Sequence, residues 1–191
     1  VRIQTNMRIY WDQILVDTSG GGYPARMTRL DAATADLHWR GFSAETAPDG
    51  REPFGYDYGI VSTTSPWKAF PGRYTREGDV RPLLRRTDDM FVIARPGDEI
   101  ALSFDAQALP PIPAHWTRTF LLYVNGYSKE MNPRSATPDT LGPLPFHAMS
   151  GYPYGPTEHY PRTRAHRDYL ARYNTRIVSR SAPSIGTAAV R

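Results

Sequence analysis

Histidines 38, 115, 147, 159 and 166 are the residues with the most direct access to metal or proton chemistry in this chain. Such chemistry needs the rings close to carboxylates or to one another. None of the five forms a His-Glu-x-x-His motif or another compact ligand pair. Asp36 and His38 alternate on one side of an extended stretch, which reads as a hydrogen-bonded strand face. The acid pairs Asp88-Asp89 and Asp98-Glu99 each open a strand-like run, where turn capping accounts for them more simply than calcium. Ser150 follows His147 by three residues, but local spacing does not make a catalytic triad, and no Gly-x-Ser-x-Gly elbow occurs. The chain has no cysteine, which excludes disulfides, thiolate zinc sites and covalent haem attachment through Cys-x-x-Cys-His. Met149, Lys129 and the histidines are left as haem-ligand types without a motif around them. The expectation is no catalytic residue, no metal and no cofactor.

The aromatic residues carry more information. Trp39, Trp67, Trp116, Tyr56, Tyr58, Tyr74, Tyr152 and Tyr154 fall in irregular stretches or near strand ends. Exposed rings stack on sugars or anchor protein partners. Buried ones pack over sheet edges where no helix is at hand, and bring the largest apolar area per residue. If a ligand site exists, the sequence places it between residues 43–88 and 143–156, with His38, Arg40, Tyr56, Asp57, Tyr58 and Trp67 as contacts.

Charge defines a second surface. The net charge is +4, and the sequence pI is about 9.4. Residues 1–161 hold 16 basic and 18 acidic side chains, whereas residues 162–191 hold seven Arg and one Asp. All the basic residues are Arg except Lys68 and Lys129. In the body the basic residues are scattered among equal acid, so a nucleic-acid footprint is not expected. The basic C-terminus is expected to lie against a partner protein or neighbouring domain through Arg164, Arg167, Arg172, Arg176 and Arg180, with Ile177 and Val178 as a small apolar step.

The elements that must position these residues follow from periodicity. Residues 1–17 alternate through Met7, Ile9 and Trp11 and, after a shift at Asp12-Gln13, through Ile14 and Val16, which reads as a strand with a bulge or as two consecutive strands, ahead of the Ser19–Gly22 turn. Residues 25–30 resemble a returning strand. Residues 34–42 alternate most cleanly, with Ala35, Leu37 and Trp39 on one face. Residues 43–88 hold five prolines and six large aromatics without long periodicity, which predicts a long loop ordered by its own rings. Strands are predicted at 89–94 and 99–105, joined by an Arg95-Pro96-Gly97-Asp98 turn of type II. Residues 118–127 are apolar on both faces and predict a central strand. A single helix is expected near 163–173, capped by Thr163, with a basic tail over 177–191. Trp11, Leu37, Trp39, Ile100, Phe104 and Leu122 are the expected core.

With 18 Pro and 15 Gly in 191 residues, long helices are disfavoured, and no apolar window is long enough to span a bilayer. The reading is an all-β chain: an antiparallel, jelly-roll-like β-sandwich with long Pro- and aromatic-rich loops and one short C-terminal helix, forming a single domain over 1–176.

Seven runs in order carry a family resemblance: TNMRIYWDQI (5–14), TADLHWRGFS (34–43), GRYTREGDVRPLL (72–84), RPGDEIALSFDA (95–106), LPPIPAHWTRTFLLYVNGYSKE (109–130), PLPFHAMSGYPYG (143–155) and HRDYLARYNTR (166–176). Together they resemble the C-terminal region of bacterial ASPIC/UnbV-type proteins, which carry FG-GAP (VCBS-like) propeller repeats. The resemblance implies a large secreted or periplasmic protein in which this domain follows a propeller, and it carries no catalytic residues over. The functional expectation is a non-enzymatic structural or interaction module of a larger extracytoplasmic protein, with protein partners. A sandwich that binds carbohydrate or another small ligand is the alternative.

Overall fold

The computed structural model describes residues 25–47, 49–50, 55–64, 68–132, 134–135 and 139–179. Among them are seven strands, β1 (Thr34–Trp39), β2 (Phe42–Thr46), β3 (Gly55–Ser62), β4 (Gly72–Tyr74), β5 (Gly78–Asp79), β6 (Asp98–Ser103) and β7 (Arg176–Val178), with one helix, α1 (Arg164–Tyr173). The fold is mainly β, in small antiparallel sheets that do not close on one another.

The largest sheet has the order β5-β1-β6. Alternation places Ala35 and Leu37 inward, where both are buried with Val80, and Val92 and Ile100 pack against them. The register sets Leu37 opposite Ile100, His38 opposite Glu99 and Trp39 opposite Asp98. Outward-facing polar pairs therefore line up along one side of the sheet. The 95–98 turn has the expected form: the Asp98 N–H donates to the Arg95 carbonyl over 3.0 Å, and Gly97 sits at φ +89°.

Helix α1 starts where Thr163 accepts from the His166 N–H, and it ends as Asn174 donates back to Leu170. Its apolar stripe buries Tyr169 and Tyr173 against Leu83, with Met90, Val92, Tyr160 and Leu170 around them. The Tyr169 hydroxyl donates to the Phe91 carbonyl over 2.6 Å, so the buried ring keeps its polar end satisfied. β7 then pairs with β4, Arg73 opposite Ile177. This pairing runs across the boundary drawn at residue 176, and residues 177 and 178 are ladder residues.

The structure corrects several expectations. Residues 43–88 are not one loop: they hold β2, β3, β4 and β5. Gly and aromatic residues at irregular spacing hid these short strands, because most bury neither face. Residues 25–30 and 89–94 are not strands; Ile93 exchanges hydrogen bonds with Thr75 rather than joining a ladder. Residues 118–127 form no strand either. No backbone hydrogen bond joins 117–126 to another described residue, and Phe120–Val124 are 66–89% exposed. Leu122 is therefore not core. Phe104 is also exposed, because β6 stops at Ser103 and Asp105 caps a 3-10 turn over Ala106–Ala108. Leu37 is fully buried, Ile100 packs on the same cluster, and Trp39 is half-buried. Trp11, the strand expected over 1–17 and the end of the tail lie outside the described residues.

Candidate functional site

An open groove of about 560 Å³ lies between the β2–β3 hairpin and the 97–99 end of the 95–98 turn. Arg40, Tyr56 and Tyr58 line it, as do Glu45 and Glu99. Three residues named from sequence thus meet in one place.

β3 is broken by a bulge. Ser43 pairs with Val61, but Ala44 pairs with Asp57, so residues 58–60 are extra on the β3 side. Asp57 stabilises the detour by accepting the Gly59 N–H over 2.8 Å. Arg40 fixes it from the other side. Its Nη2 donates to the Tyr58 carbonyl, its Nη1 donates to Ser43 Oγ over 2.9 Å, and its Nε lies 3.0 Å from Glu99 Oε2. Bulges re-aim side chains beside sites. Here the bulge leaves the Tyr56 and Tyr58 rings exposed side by side, centroids 6.5 Å apart and tilted by 40°.

His38 stands behind this arrangement. Its Nδ1 is 3.1 Å from Asp36 Oδ2 and its Nε2 is 3.4 Å from Glu99 Oε1, so the ring links two carboxylates and reaches the groove only through Glu99. Asp57 serves the bulge rather than the groove. Glu45, opposite Tyr56 in the register, makes no hydrogen bond or ion pair with another described residue. Sequence reasoning missed Glu45, since its place depends on a hairpin that periodicity did not reveal. Trp67 lies outside the described residues.

The floor is held by a charged cluster. Asp98, whose side chain is fully buried, accepts the Arg95 N–H over 2.9 Å and two donors from Arg176, one of them over 3.0 Å. Arg176 also pairs with Glu77 over 2.9 Å. Burial pulls the Arg176 guanidinium down in pKa, but hydrogen bonds and charge from Asp98 and Glu77 outweigh it and hold it above the ordinary value. The Arg95 guanidinium stacks 4.0 Å from the centre of the Trp39 ring, and Phe42 meets that ring edge-on.

The segment 143–156 does not join this groove as expected; it folds against the loop before β6. His147 donates its backbone N–H to Asp89 and sets Nδ1 2.7 Å from the same carboxylate, with Tyr127 edge-on to its ring. Tyr152 and Tyr154 donate to the Pro143 and Leu144 carbonyls, so their hydroxyls are spent within the segment. Lys129 donates to the carbonyls of 140–142 and lies over Phe70; burial lowers its pKa. Among the described residues no three His, Asp or Glu side chains are grouped to hold a metal ion.

The C-terminal arginines divide. Arg164 is solvent-exposed beside Asp168, Arg167 donates to the Arg162 carbonyl, and Arg172 stacks on Tyr173. Arg176 faces inward, which corrects its assignment as a partner contact: its charge is taken up by Asp98 and Glu77. Ile177 is exposed while its backbone pairs with β4. Val178 pairs with Gly72, and Arg180 lies outside the described residues. No helix among the described residues is long and apolar enough to cross a membrane.

No protein-family model, no curated protein and no solved structure matches this chain.

Proposed function

We propose that this chain is a non-enzymatic interaction module of a larger extracytoplasmic protein or assembly, whose jelly-roll-like sandwich is completed by a neighbouring polypeptide. The observation that carries the reading is the run Phe120-Leu121-Leu122-Tyr123-Val124. It is strand-grade in sequence, apolar on both sides, 66–89% exposed and without a ladder among the described residues. A run with both faces apolar belongs in the middle of a sheet. A segment whose N–H and C=O groups are left unpaired can take up a strand from another chain. The occupant is an extended apolar segment of the neighbouring domain or subunit, with backbone pairing for affinity and ring contacts for selectivity. Location outside the cytoplasm, and a propeller before this domain, follow the ASPIC/UnbV-type resemblance.

Charge on the run tests this. Leu121→Lys combined with Tyr123→Lys changes two solvent-facing residues, so stability of the isolated chain should move by no more than about 0.5 kcal/mol. Sedimentation of the native assembly reconstituted with this variant should show loss of the chain from the complex. Full incorporation of the variant would overturn the reading.

A further inference from the structure

We propose that the groove between the β2–β3 hairpin and the 97–99 backbone binds a neutral oligosaccharide, with Tyr56 and Tyr58 as its stacking platform. This site is independent of the apolar run above. Three observations carry it.

The first is the platform. Two tyrosines stay solvent-exposed on one short ribbon, with centroids 6.5 Å apart, in a chain that buries Tyr74, Tyr169 and Tyr173. Ring faces pack against the apolar C–H faces of pyranose sugars while the phenol ends stay wet.

The second is the construction behind the rings. The bulge that presents Tyr58 is locked by Asp57 within the strand and by Arg40 from β1's end, and Arg40 is in turn held by Glu99. Prior fixation of the contact residues lowers the ordering cost of binding.

The third is the charge state of the groove. The Arg40 guanidinium is used internally, and Asp98 is neutralised by Arg176 and Arg95. The Glu99 carboxylate is shared between Arg40 and His38. Glu45 is left as an acceptor with no partner among the described residues, and Ser62 and Thr64 line the same groove. A free carboxylate with hydroxyls suits sugar hydroxyl donors. It repels phosphate, sulfate and uronate, and among the described residues no unspent cation lines the groove to offset that.

The test is titration of the isotope-labelled full chain with cellohexaose, mannohexaose, galactohexaose and chitohexaose, with a heparin hexasaccharide and hexalysine as charged controls. At least one neutral hexasaccharide should shift the amides of residues 43–45 and 56–64. Tyr56→Ala and Tyr58→Ala should each weaken that binding about five- to tenfold, and Glu45→Gln should weaken it less. Because these side chains are exposed, the variants should unfold at the same urea midpoint as the parent. Absence of any shift from the four neutral sugars at about 10 mM, binding indifferent to both tyrosine changes, or a preference for heparin or hexalysine would each overturn the proposal.

Discussion

Asp98 is the residue on which the groove's floor depends. A fully buried carboxylate is tolerable only when its oxygens are paired, and Arg176 supplies the strongest pair. Arg176→Met should cost about 3 kcal/mol in urea unfolding, since it strands that charge with only the Arg95 contacts left. Asp98→Asn combined with Arg176→Met should recover part of the loss, and a double-variant loss equal to the sum of the two single losses would show that the two do not interact. The buried tyrosines give a second residue-level expectation. Burial, helped by Asp98, pushes the Tyr74 hydroxyl up to about 12, and Tyr160 and Tyr169 are raised further, again chiefly by burial. A raised folded-state pKa means the folded chain holds the proton more tightly than the unfolded one. The stability from these groups is therefore complete below the ordinary tyrosine value near 10 and is lost as pH climbs through 12. Urea midpoints should be flat in this respect below about pH 9.5 and fall steeply above it. A midpoint that holds to pH 12 would contradict the burial of these rings.

At the scale of elements, the turn before β6 is the tightest joint. Gly97 sits at a positive φ, and a Cβ there would lie 2.4 Å from the Trp39 ring. Gly97→Ala should destabilise the chain by about 2 kcal/mol or more through strain and displacement of the ring, and an unchanged melting temperature would show that the turn is not held as described. This turn, β1, β6 and α1 were readable in the sequence because each carries a complete local signal: Pro-Gly in a four-residue turn, strict alternation, or a capped stripe at helical spacing. The β2–β3 hairpin was not readable. β3 is exposed on both faces and β2 is half-buried along nearly its whole length, so no alternation marks the hairpin, and its bulge breaks the register further. Arg40, Tyr56 and Tyr58 could be named as contacts from their types, but Glu45 could not, since its place beside Tyr56 is a product of pairing. Arg176 was misread for a similar reason. Its sequence neighbourhood is basic and polar, and only the return of β7 to β4 brings it onto Asp98 and Glu77, 78 and 99 residues away in the chain.

At the scale of the whole molecule, the described residues form small sheets around two buried clusters, Ala35-Leu37-Val80 and Leu83-Tyr169-Tyr173, with Val92 packed against both. The apolar run Phe120–Val124 lies in neither. A free-standing domain would be expected to place such a run at its centre. Completion by another polypeptide accounts for both facts and is the central claim. Amide hydrogen exchange of residues 119–125 tests it most directly. In the dilute isolated chain these amides should exchange nearly as fast as in an unstructured peptide, and in the native assembly they should become protected together. Slow exchange in the isolated chain would show that the run is already covered from within, and fast exchange persisting in the assembly would show that no neighbouring strand pairs with it; either result would contradict the account.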